Sequence, residues 1–269
     1  MKDVRDVVDY YDNGGEIDRL SQDPYRLECI RTQELISRHL TSRPLRVADV
    51  GGGAGFYAFW LAEMGHEVHL IDISPRNVSA AHRLNENRSS RLASIQIGDA
   101  RKMSFKDSSV DMVLSLGPLY HLIEREERLR AIRESHRILK KGGLIFCATI
   151  SRYASVLDGF FRESVRDPEF VTIMQDDLKT GVHRNPTSKD YFTTSYFHTH
   201  DEIRQELHEG SFSSIRSYAV EGFGWLLLNM GDFLGDASLR ELLLDALRRT
   251  ESEQSLVGLS AHLLTTGIK

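Results

Sequence analysis

The stretch Val47-Ala48-Asp49-Val50-Gly51-Gly52-Gly53-Ala54-Gly55 constrains this chain more than any other, because an apolar strand runs straight into a glycine turn. A helix's length further on, Val68-His69-Leu70-Ile71-Asp72-Ile73-Ser74 reads as a second buried strand ending in a carboxylate. Glycines at 51, 53 and 55 remove side chains where a backbone must come close to a bound molecule. A helix that begins in such a turn points free N–H groups at whatever sits there. Asp72, at the carboxyl end of the second strand, is placed to accept hydrogen bonds from two ribose hydroxyls. The pattern predicts a βαβ unit with a nucleoside site at its mouth.

The same alternation continues. Apolar segments at 45–50, 67–72, 94–98, 110–116 and 143–150 are separated by helical stretches, a spacing that predicts a parallel α/β sheet. Ser74 followed by Pro75 marks a helix start. Between Glu124 and Lys140, Leu129, Ile132 and Leu139 recur at helical spacing, and Gly142-Gly143 is expected to end that helix. Around this core at 45–150, residues 1–44 read as an N-terminal helical cap, with Asp23-Pro24 opening its second helix. Residues 151–200 read as a cap insertion of aromatic-rich helices and a loop around His183-Arg184-Asn185-Pro186. Residues 201–269 should complete the sheet, with helices at 201–209 and near 237–250 and strands at 213–221 and 261–268.

Charge and cysteine usage exclude several classes. Thirty-four basic against thirty-nine acidic residues give a net charge of −5. No Lys/Arg run is long enough to track a phosphate backbone, which argues against a nucleic-acid partner. Cys29 and Cys147 are the only cysteines, and Cys147 in Leu144-Ile145-Phe146-Cys147-Ala148 reads as a core thiol. The charged start Met1-Lys2-Asp3-Val4-Arg5-Asp6 has no apolar leader, and no stretch reaches membrane-spanning length, so the expectation is a cytoplasmic protein with no membrane partner.

Three further motifs say which nucleoside. Gly98-Asp99-Ala100 closes the third strand, Ser115-Leu116-Gly117-Pro118-Leu119-Tyr120-His121-Leu122 closes the fourth, and Arg137-Ile138-Leu139-Lys140-Lys141-Gly142-Gly143 leads into the fifth. With the glycine turn and Asp72, this ordered set resembles the class I S-adenosylmethionine-dependent methyltransferases of small-molecule type. The resemblance covers about residues 45–150. It implies a Rossmann-like fold with a seven-stranded, mostly parallel sheet, the last strand antiparallel, helices on both faces and a helical or mixed cap. It also implies S-adenosyl-L-methionine lying across the carboxyl ends of the strands. Carried over, Gly51 and Gly53 approach the methionine part and Asp49 supports their turn. Asp72, with Ile73 beside it, holds the ribose, Asp99 and Ala100 the adenine, and the Leu116 backbone lies near the amino group.

Other readings remain open at this stage. Gly53-Ala54-Gly55-Phe56-Tyr57-Ala58 satisfies a loose GxGxxA pattern, so an NAD(P)-dependent oxidoreductase is a rival, though it leaves the Gly-Pro-Leu-Tyr turn unaccounted for. A protein that binds the cofactor without catalysis is another. For methyl transfer to O, N, S or C of a small-molecule acceptor, His121 is the candidate general base and Tyr120 a positioning group. Leu27, Arg31 and Leu35 follow at i, i+4 spacing, which turns Arg31 inward. The cofactor carboxylate could answer its charge, with Tyr10 or Tyr11 closing over it, and an intrahelical pair with Glu28 or Glu34 is the alternative. Tyr153, His183, Arg184, Tyr191, Tyr196 and Trp225 are expected to line the acceptor pocket. No metal site is expected, since His183 and His198-Thr199-His200 lack suitable spacing.

Overall fold

The computed structural model describes residues 25–187, 189 and 191–269; the expectations placed on Tyr10, Tyr11 and the Asp23-Pro24 helix start lie outside them. Helix α1 (Arg26–Ser37) precedes β1 (Arg46–Val50), α2 (Phe56–Glu63), β2 (Glu67–Asp72), α3 (Pro75–Glu86) and β3 (Ser94–Ile97). Then come β4 (Val110–Ser115), α4 (Pro118–His121), α5 (Arg125–Ile138) and the long β5 (Leu139–Ser151). Helices α6 (Ala154–Phe161) and α7 (Pro168–Thr180), strands β6 (Val182–His183) and β7 (Ser195–His198) and α8 (His200–Glu209) follow. The chain ends with β8 (Ser213–Ala219), α9 (Met230–Gly235), α10 (Ala237–Thr250) and β9 (His262–Ile268).

Strands β3-β2-β1-β4-β5 are parallel neighbours, and β9 runs antiparallel between β5 and β8. Side chains alternate between two apolar layers, as a sheet covered on both faces requires. Val47, Met112, Leu114 and Phe146 enter the layer with Leu35, Phe59 and Leu61, whereas Ala48, Val113, Ile145 and Cys147 enter the one with Ile132, Ile203 and Leu207. Cys147 is the expected core thiol, and its burial raises its pKa well above the ordinary thiol value.

Helix starts are capped by side chains, at Ser74 as the sequence announced and at Thr199 as the structure adds. The Ser74 hydroxyl accepts from the Asn77 N–H at 3.2 Å with Pro75 at the first position of α3, and Thr199 with Glu202 makes a capping box for α8. Two expectations need correction. The sheet has nine strands rather than seven, because β5 runs past its last pairing with β4, Ser115 with Cys147, and β7 takes the vacated edge at Ile150 and Ser151. Strand β6 then pairs antiparallel with β7 inside the expected loop. The second correction concerns α5, which stops at Ile138 instead of continuing to the glycines. Leu139 already pairs with Val110 and Leu144 with Met112, so Lys140–Gly143 form a bulge in which Gly142 has φ +78°.

Candidate functional site

A cavity of about 430 Å³ opens across the carboxyl ends of the parallel strands. Its floor is the glycine turn after β1. Gly51 has φ +71° and packs so tightly on Pro118 that a Cβ would lie 2.6 Å from the ring. Gly53 has φ +58°, and nothing lies within 4 Å of where its Cβ would be. It therefore presents bare backbone to the cavity, a cradle that any side chain would fill. The turn is tied to the end of β2: the Gly51 N–H donates to the Ile71 carbonyl at 2.7 Å and the Gly53 N–H to Asp72 Oδ2 at 2.8 Å.

Three acids border this floor, each in a different state. Asp49 is 1% exposed, and its Oδ2 has no hydrogen-bond partner among the described residues. Burial first, then the charge of Asp72, pushes its carboxyl up to about 7. Asp72 is fixed rather than free to swing, since its Oδ1 accepts the Ser74 N–H at 2.8 Å and Asn77 Nδ2 at 3.2 Å. Asp99 pairs with the Arg101 guanidinium, which also reaches Glu127 at 2.6 Å. Burial works against ionisation of Asp99, but Arg101 outweighs it and holds the carboxyl below its ordinary range. Ile73, Ala100 and Leu116 line the same side of the cavity.

The turn after β4 forms the next part of the wall. Tyr120 and His121 both line the cavity, with ring centroids 4.5 Å apart. Tyr120 packs among Ile150, Phe197 and Phe192. Burial pushes the His121 imidazole down to about 4, only partly opposed by a hydrogen bond with the Thr194 backbone. His121 is therefore neutral at pH 7 and a weaker base than an ordinary histidine.

Arg31 and the expected acceptor residues stand elsewhere. Arg31 does turn inward and is fully buried, but its guanidinium is spent on Glu34, Glu251 and the Val220 carbonyl. The long-range partner Glu251 takes the place expected for a cofactor carboxylate. His183 is held inside the cap between Asp177 Oδ2 and the Tyr191 carbonyl, each at 2.8 Å. Tyr191 donates to Asp167, and the Tyr196 ring lies 3.7 Å from the buried Arg128 guanidinium. Trp225 donates to the Leu259 carbonyl and borders a separate surface groove, while Tyr153 and Arg184 are exposed. None of these six is in the cavity lining. The cap aromatics build the cap's own core and surface.

The cavity instead draws on residues the motifs did not single out. Glu28 and Thr32 of α1 reach in from above, Tyr57, Asn77 and Arg88 from α2, α3 and the segment that follows it, and Val220 and His262 from the β8–β9 end. Only the i, i+4 spacing of Glu28 and Thr32 hinted that they share a face. One potential ligand atom from each of Glu28, Glu221 and His262 lies within 4.8 Å of the others, a grouping the sequence reading did not single out.

Residues 48–147 match the family model of the methyltransferase domain. A ubiquinone biosynthesis O-methyltransferase of Cereibacter sphaeroides is 30% identical over 154 residues, 54% of this chain and 60% of that one. The 2-methyl-6-phytyl-1,4-hydroquinone methyltransferase 2 of Oryza sativa is 32% identical over 119 residues, 44% of this chain and 32% of that one. In fold, a protein from Pyrococcus horikoshii superposes with a TM-score of 0.62 at 19% identity, covering 97% of this chain and 98% of the other. Residues 48–147 therefore carry a methyltransferase domain, and the fold is Rossmann-like. The chain spans about 60% of the length of the Cereibacter relative. Among the described residues no helix is long and apolar enough to cross a membrane.

Proposed function

We propose that the chain is an S-adenosylmethionine-dependent methyltransferase that carries a methyl group to a hydroxyl of a small, partly apolar acceptor. The observation that carries this reading is the bare Gly53 backbone beside the fixed carboxylate of Asp72 in a cavity across the strand ends. In it, Asp72 and Ile73 hold the ribose, Asp99 and Ala100 the adenine, and Gly51, Gly53 and Leu116 the methionine part, with Asp49 supporting their turn. The relatives named for ubiquinone and hydroquinone chemistry support a phenolic acceptor. Tyr57, Leu122 and Ala148 offer it apolar surface.

The cofactor supplies the activated methyl group when bound. The chain's residues orient the acceptor oxygen in line with it and keep water out. Tyr120, buried against Ile150 and Phe197, suits positioning. Calorimetry with S-adenosylhomocysteine, S-adenosylmethionine and NAD separates this reading from its rival. Binding of the first two and not of NAD is expected, and the reverse pattern would exclude it.

A further inference from the structure

A phenolic acceptor sheds its proton as its oxygen takes the methyl group, and His121, weakened by burial, is badly matched to receive it. A second imidazole borders the same cavity. His262 opens β9 beside Ile150 of β5, on the side of the sheet away from β2 and β3 where Asp72 and Asp99 stand. Its Nδ1 lies 2.6 Å from Glu221 Oε1. Glu221, 4% exposed, is itself fixed: Oε2 accepts from the Ser260 hydroxyl at 2.8 Å and from the His262 N–H at 3.0 Å. Ser260 Oγ is pinned in turn by the N–H groups of Glu221 and Gly222, each at 3.0 Å. Burial opposes charge on Glu221, but His262 and Ser260 outweigh it and hold the carboxyl below its ordinary range. A carboxylate only accepts, so Nδ1 carries the proton between them. In the neutral ring the lone pair is then on Nε2.

Resting on the methyl transfer proposed above, we infer that His262 is the general base of this site and Glu221 its positioning residue. The acceptor O–H gives its proton to Nε2 while its oxygen forms the new O–CH3 bond. The S–CH3 bond breaks and its electron pair stays on sulfur, leaving a neutral thioether. The imidazolium formed is balanced by Glu221 and later returns its proton to water. Among the described residues, the charged groups around the ring include Glu221, Glu28 of α1, whose Oε2 is 4.0 Å from Nδ1, and Arg31 behind the Val220 carbonyl.

Long-range ¹H–¹⁵N NMR of the full-length, cofactor-free protein tests the dyad without any turnover. The Nδ1–H tautomer is expected for His262, with a titration that moves to lower pH in Glu221→Gln because the anion favouring the imidazolium is gone. An Nε2–H tautomer, or a titration indifferent to Glu221→Gln, would overturn the dyad. With a catechol as acceptor, His262→Ala should lower kcat by roughly 10²–10⁴-fold and abolish the acid limb of the pH profile. Glu221→Gln should retain that limb at lower pH. An acid limb unchanged in His262→Ala contradicts the inference. So does loss of wild-type turnover on chelating divalent cations if Glu28→Gln reproduces it, since the three side chains would then hold a cation. A wild type that binds no S-adenosylhomocysteine fails the proposed function instead, and the NMR measurement still decides the dyad.

Discussion

Asp49 and Asp72 lie under one glycine turn, the first with an unpartnered carboxyl oxygen among the described residues and the second held by N–H donors. Asp72 is fixed by N–H donors on both of its oxygens. Asp72→Ala is expected to weaken S-adenosylhomocysteine binding by about 1.5–3 kcal/mol, roughly 10–150-fold in Kd by calorimetry. An unchanged Kd would remove Asp72 from the site. Asp49 has its folded pKa at about 7, above its ordinary 3.8. The folded protein then binds more protons than the unfolded chain between those values, so this group's contribution to stability falls as pH rises through that window. Asp49→Asn should abolish that fall and stabilise the cofactor-free protein at pH 8 by about 2–4 kcal/mol. Urea unfolding at pH 5 and pH 8 reads it, and an identical pH dependence in the variant would contradict the assignment.

Between elements, the turn after β4 is held by a buried cation. Arg128 of α5 is 1% exposed, grips Glu206 of α8 through Nε and Nη2, and donates from Nη1 to the Leu122 and Ile123 carbonyls at 2.9 and 2.6 Å. Removing it leaves Glu206 buried without its main partner. Arg128→Ala should cost about 3–5 kcal/mol in denaturant unfolding, and Arg128→Met with Glu206→Leu should recover most of that. A single variant as stable as wild type would show the pair to be dispensable. At this scale the sequence was legible where signals were local. Ser74 followed by Pro75 announced α3, and helices were expected at 201–209 and near 237–250, where α8 and α10 form. Strands β6 and β7, two and four residues long, carry too little periodicity to be seen. The inward turn of Arg31 was legible, but its partner Glu251 is 220 positions away. Glu221 and His262, 41 positions apart, share no local pattern. Composition likewise could not separate cap aromatics that line a pocket from those that fill a core, and His183 proved to belong to Asp177.

Across the whole molecule, the roof of the cavity is clamped from the far end of the chain. Glu34 and Glu251 join Arg31 and Arg38 of α1 to Arg248 of α10 in one ionic network. Helix α1 carries Glu28 and Thr32 over the site. Glu251→Gln takes one of two anions from a fully buried Arg31, leaving Glu34, so amide exchange in α1 should rise by roughly tenfold or more while β1 and β2 stay protected. Equal exchange in wild type and variant would show that packing alone holds the roof. The clamp, the bare glycine turn and the histidine-edged wall converge on one claim, that a methyl group passes from a sulfonium to a small hydroxylated acceptor in this cavity. The most direct test is mass spectrometry of catechols and hydroquinones incubated with the protein and S-(trideuteriomethyl)adenosylmethionine. A trideuteriomethyl ether on at least one of them, lost in Asp72→Ala, is the result expected. Tight binding of S-adenosylmethionine with no label on any phenol would contradict it.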